Sequence, residues 1–328
     1  MEKDLMISLE GFGNEADANS LGNTVMSIVR ALYEKHQLDL TNLKLILISY
    51  DFPNALKRVT EEYNHTSPSS YTNSKQARAI AQLITKGARE EFTLVLSIEF
   101  FFEWFNKDGK FELTEDNIHF VLHRIHHELI HVHEKNVLNR LDYSLLIDQY
   151  DDALLMSATR SWSEYLANFN SAYSAPEETV TLFLEQLDSV IKEVPNEIET
   201  LVLQYQYKLI PLDEMYLAVK DRIKLIANSY AYAFGYVDAL GIDLNDNFPE
   251  LSQNLVECKL SDVIHQLEVS FRALTKLYDE GAIENYDAFD EVVKVIDNMF
   301  KCFGLTLERT QDENGTGLYI HVGYKSQF

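Results

Sequence analysis

The chain has 328 residues, 46% hydrophobic and 24% charged, which is globular material long enough for two domains or one elaborated domain. Its 28 basic residues stand against 52 acidic ones, a net charge of −24 that repels phosphate backbones and anionic headgroups and so argues against nucleic-acid and membrane-surface partners. The two cysteines, Cys258 and Cys302, lie far apart and outside any CxxC, so two buried thiols are expected rather than a disulfide framework or a cysteine zinc site.

The first residues, MEKDLMISLEGFG, carry early acids and no long apolar run, unlike a secretory signal, and no apolar stretch approaches the roughly 18 residues of a membrane span. A cytoplasmic location is the expectation. Residues 5–9 (LMISL) read as a strand, and 19–36 as a helix with Leu21, Val25, Ile28, Val29 and Leu32 on one face. Between them, Gly11-Phe12-Gly13-Asn14-Glu15-Ala16 matches GxGxxA. Glu15 and Asp17 would confront a pyrophosphate, so a plain strand-to-helix turn is the better reading than a dinucleotide site. Residues 43–50 (LKLILISY) read as a buried strand, 64–74 as a polar loop, 76–86 as a helix and 92–102 (FTLVLSIEFFF) as a strand.

A turn at Asn106-Lys107-Asp108-Gly109 precedes a helix with Thr114 as N-cap and Glu115 and Asp116 in its first turn. Beyond about residue 139, helical spacing dominates to about 303, punctuated by Pro176, Pro195 and Pro211. Residues 305–322 read as two strands around Glu313-Asn314-Gly315. The expected fold class is α+β. A mixed α/β part covers 1–140, a mainly α-helical part 141–304, and a C-terminal β-hairpin 305–328.

The helix opened by Thr114 carries HRIHHELIHVHE, residues 123–134, which holds five of the chain's ten histidines. At about 100° per residue, His131 lies about +40°, His123 about −40° and Glu134 about −20° from His127, all on one face. His126 and His133 fall off to one side, as second-shell or surface groups. Residues four apart bring their Cβ atoms to roughly 5–6 Å, close enough for two imidazoles to share one metal ion. Two pairs qualify, His123/His127 and His127/His131. Only the second has a carboxylate, Glu128, after its first histidine, where it can take a proton from water. In the first pair that place belongs to Arg124, which cannot act as a base. A solvated or pH-sensitive histidine face is the competing reading.

His127-Glu128-Leu129-Ile130-His131 is HExxH, and here the sequence resembles the zincin metallopeptidases. The likeness covers roughly residues 90–170. It implies one Zn2+ ion, a peptide or protein substrate, Glu128 as general base, and a strand before the motif helix that borders the substrate cleft. Residues 92–102 precede the helix in that place and would pair with an extended peptide by strand addition.

A catalytic zinc takes three protein ligands and keeps one position open. Val132, His133 and Glu134 follow the motif where the metzincin branch has glycine and histidine. The gluzincin branch takes a glutamate from a later helix. Residues 153–176 contain two charges, Arg160 and Glu164, where the chain average of 24% would give about six. A lone acid on a buried helix needs a partner, either a metal or Arg160 one turn earlier. Glu164 stands 33 residues after His131, a spacing similar to that of gluzincins. Asn168 takes the place where those proteins often carry a polar support for a histidine ligand, with aspartate in its stead. Glu134, Asp148, Asp151 and Asp152 are reserve ligands. The resemblance also implies an oxyanion donor from the later part, for which Tyr232, sharing a helix face with Tyr236, is the candidate. The alternative from another class is a non-enzymatic acidic helical binding protein with a structural metal or only a histidine-rich helix.

Overall fold

The computed structural model describes residues 5–63, 80–86, 90–141, 148–312 and 315–323. The loop expected at 64–74, residues 76–79 of the expected helix and the turn residues 313–314 fall outside them. The chain divides into two compact units. One comprises Met1–Arg140 with Ser174–Pro176, the other Leu141–Tyr173 with Glu177–Phe328.

The first unit is built on a four-stranded sheet of β1 (Met6–Glu10), β2 (Leu43–Ser49), β3 (Ala81–Lys86) and β4 (Glu91–Ser97), in the order β1-β2-β4-β3. β1, β2 and β4 run parallel and β3 runs antiparallel to β4. Side chains alternate between the faces of a strand. On one face Leu45, Leu47, Ile84 and Val95 meet Phe52, Leu56 and Val59 of α2 (Phe52–Glu62). The other face belongs to α1 (Glu15–His36), which packs on β1, and α3 (Glu115–Val137), which packs on β3 and on α1.

Three elements differ from the sequence reading. Residues 81–86 are strand β3 rather than the end of a helix, because their backbone is captured by β4 from Ala81↔Leu96 to Lys86↔Glu91. The strand expected over 92–102 stops at Ser97, whose Oγ accepts the Glu99 N–H and starts a 3-10 helix, Ile98–Trp104. β4 is also hydrogen-bonded on both sides, to β2 and β3, so it offers no side for an added peptide strand. The helix expected from residue 19 begins at Glu15, where the Asn14 side chain caps the N–H groups of Ala16 and Asp17.

α3 starts where expected. Thr114 and Asn117 form a reciprocal capping box. Asn117 Nδ2 also donates to the Glu103 and Glu112 carbonyls, and Trp104 Nε1 donates to the Asn117 carbonyl at 3.1 Å. Two turns further on, Arg124 donates to the Phe100 carbonyl at 2.7 Å and pairs with Glu103. The 3-10 helix therefore fixes the direction in which α3 carries its histidines.

The second unit contains α4 (Gln149–Ala153), α5 (Leu155–Ser171), α6 (Glu177–Gln206), α7 (Leu212–Leu240), α8 (Leu244–Asn247), α9 (Pro249–Glu257), α10 (Ser261–Asp279) and α11 (Asp290–Cys302), then the antiparallel pair β5 (Leu305–Asp312) and β6 (Gly315–Val322). Leu305 and Leu307 of β5 are buried, and β5 lies against α11, so the hairpin belongs to the helical unit. Helices, a small mixed sheet and a hairpin make the class α+β. Among the described residues no helix is long and apolar enough to cross a membrane.

α5 and α7 approach closely at Gly235. A Cβ there would stand 2.6 Å from the Tyr165 carbonyl oxygen and 2.8 Å from Asn168 Cβ. Nearby, the Tyr165 hydroxyl donates to Asp238 at 2.5 Å, and Arg272 of α10 donates to both Asp238 oxygens, at 2.8 and 2.5 Å. Gly235→Ala gains roughly 1 kcal/mol of helix propensity. It must also push backbone aside, and overpacking costs about 1–3 kcal/mol even where side chains yield. The variant is expected to lose net stability in urea unfolding. A midpoint equal to or above the wild type would refute this close packing.

Candidate metal centre

α3 distributes its five histidines by bearing. His127 and His131 are half-buried, with rings 4.8 Å apart at 83° and Nε2 atoms 3.1 Å apart. With metal–nitrogen bonds near 2.05 Å, a 3.1 Å separation subtends about 98° at a shared ion, which suits a tetrahedral site. The same spacing suits an N–H···N hydrogen bond between the rings, so metal content distinguishes the two. On the far side of the His131 ring, Nδ1 faces the buried Glu134 carboxylate at 3.7 Å. A carboxylate there favours the proton on Nδ1 and leaves Nε2 as a lone-pair donor.

The other three histidines serve the fold. His123 and His126, 2% and 1% exposed, both direct Nδ1 at the Ser174 hydroxyl, at 3.0 and 2.9 Å. One hydroxyl has one proton, so it donates to one ring and accepts from the other. His126 also lies against His36, ring centroids 4.2 Å apart. Burial, then the nearby His36 and His127, pushes its pKa down to about 3, so it stays neutral. The surface placement allowed for His126 is corrected, because α1 covers that flank of α3. His133 accepts the Asp39 N–H on Nδ1 at 2.8 Å, while Asn136 Nδ2 donates to the Asp39 carbonyl, so this flank braces the connection between α1 and β2.

Glu164 sits half-buried on α5, with its Oε2 atom buried. Arg160, the competing partner one turn earlier, is exposed. One nitrogen from each of His127 and His131 and one Glu164 carboxylate oxygen lie within 4.8 Å of one another, a set that could hold a metal ion. Two imidazoles and a carboxylate are the donor chemistry of a hydrolytic zinc site. Glu128 follows His127 on the half-buried part of α3.

The three aspartates among the reserve ligands are engaged elsewhere. Asp148 and Asp151 pair with Arg309 at 2.6 Å each, and Asp152 pairs with Lys220 at 2.9 Å. Of the tyrosines, Tyr232 stacks on Phe183 with centroids 5.1 Å apart, and its carbonyl accepts from Asn168 Nδ2 at 2.9 Å. Asn168 thus ties α5 to α7. Tyr236, one turn beyond Tyr232, is the tyrosine that senses Glu164: burial first, and then that carboxylate, raises its hydroxyl pKa.

Glu134→Gln keeps the shape of the His131 support and removes its charge. Metal affinity is expected to fall about 10–100-fold, the usual effect of losing such a support. Chelator-competition titration measures this, and unchanged affinity would separate Glu134 from the centre.

No protein-family model, curated protein or solved structure matches the chain.

Proposed function

We propose that the chain is a zinc-dependent metallopeptidase of gluzincin type, with His127, His131 and Glu164 as the zinc ligands and Glu128 as the general base. The observation that carries this reading is the convergence of those three donor groups within 4.8 Å, with Glu128 following His127 on α3. The donor count supports catalysis over a structural role: among the described residues the group contains three protein donors, and structural zinc takes four.

Zinc held there supplies Lewis acidity toward a scissile carbonyl and a water molecule. Glu128 would take a proton from the attacking water and deliver it to the leaving amine. Tyr232 and Tyr236, one turn apart on α7, are the candidate donors to the developing oxyanion. An extended peptide adds to β3, the outer strand against which α3 packs, rather than to the enclosed β4. The free thiols Cys258 and Cys302 suit a reducing, cytoplasmic compartment.

The test is cleavage of a mixed peptide library by zinc-loaded protein. Hydrolysis should stop with chelator and return on adding zinc. A zinc-loaded chain that cuts nothing, or cutting that persists in chelator, would sink the reading.

A further inference from the structure

The turn that reads GFGNEA in the sequence borders a cavity in the first unit, at the carboxyl ends of β1 and β2. Its volume is about 200 Å³, and Phe12, Gly13, Asn14, Asp17, Tyr50, Phe105 and Gly109 line it. Drug-sized ligands occupy roughly 300–1,000 Å³, so this space suits one small group and not a dinucleotide.

We infer that this cavity binds a compact organic cation, a quaternary ammonium or a similar alkylated amine, through its aromatic walls and the Asp17 carboxylate. The argument starts with the rings. Phe12 and Tyr50 meet edge to face, centroids 5.0 Å apart at 75°, and Phe105 supplies a third wall. Gly11 has φ 82°, and a Cβ there would stand 3.1 Å from Tyr50 Cβ, so glycine at the exit of β1 lets Tyr50 lie over the turn. Tyr50 remains 52% exposed, a large ring held at a cavity with one side open. Aromatic faces carry negative charge density and attract cations.

Charge points the same way. The N-terminus of α1 opens beside the cavity and would by itself favour an anion. Here its donors are engaged: Asn14 Oδ1 accepts from Ala16 N–H at 2.9 Å and from Asp17 N–H at 3.4 Å. Glu15 and Asp17 in the first turn then make the local charge negative, which repels phosphate and attracts an ammonium group. Small cavity, aromatic walls and one carboxylate together describe a site for a methylated ammonium head, whether on a free molecule or on a lysine side chain.

Ligand-observed NMR and calorimetry at fixed ionic strength test this, with three probes. They are choline, its uncharged isostere 3,3-dimethylbutan-1-ol, and a short peptide carrying one trimethyllysine. Choline or the peptide should bind at least tenfold more tightly than the alcohol. Tyr50→Ala and Asp17→Asn should each weaken cation binding at least fivefold, in proteins with wild-type circular dichroism and thermal midpoints. Tighter binding of choline assigns the site to free molecules, and tighter binding of the peptide assigns it to side chains; both support the inference. It is overturned if the alcohol binds as well as the cations, if neither cation binds at tens of millimolar, or if both folded variants bind like the wild type.

Discussion

Replacing His131 with alanine is expected to take the chain from about one bound zinc per molecule to under about 0.1 after dialysis, because three donors are the minimum for a tight protein zinc site and two remain. The arrangement of α3 explains why this residue matters so much. His131 Nε2 stands 3.1 Å from His127 Nε2, and its other nitrogen faces Glu134 at 3.7 Å. Alanine therefore removes a donor together with the ring that faces Glu134. The loss should exceed the roughly 10–100-fold expected for Glu134→Gln, because that change only perturbs a donor. A second readout separates metal loss from misfolding. A ligand that binds only the folded state raises its stability, so zinc should raise the unfolding midpoint of the wild type and leave that of His131→Ala unchanged. Metal analysis decides the matter: equal zinc in wild type and His131→Ala would end the assignment, as would retention in His127→Ala.

The parts of this centre that rest on local spacing were legible in the sequence. A four-residue step on a helix brings two imidazoles together wherever the helix lies, and Thr114 with two following acids marks where that helix begins. Glu164 was legible through composition, since one acid on an almost uncharged helix stands out. The misread parts depend on distant residues. Residues 81–86 carry no strong local strand signal and become a strand because β4 captures them. The run IEFFFEW is apolar enough for a strand, yet Ser97 caps it into a 3-10 helix that then pins Arg124. His126 looks like a flank residue on a helical projection, and only the packing of α1 and the position of Ser174 bury it. Periodicity finds which residues share a face. It cannot say which face another element will cover.

Glu128→Gln is expected to keep the metal and lose about 10²–10⁴-fold in the rate of peptide hydrolysis, the range a positioned proton acceptor contributes. Glutamine fills the same space and presents one oxygen, but it does not accept a proton at neutral pH. It therefore leaves His127, His131 and Glu164 untouched as donors and removes only the acceptor. Position on α3 makes this separation possible: Glu128 is about 100° around the helix from His127 and is not one of the residues that converge within 4.8 Å. The split between the two readouts is what identifies the role. His131→Ala loses metal and activity together, whereas Glu128→Gln should titrate with zinc like the wild type while kcat collapses and KM barely moves. If Glu128→Gln instead loses zinc, the carboxylate is a ligand and the base lies elsewhere. If it keeps both zinc and full activity, no proton passes through Glu128, and the HExxH geometry on α3 serves metal binding alone.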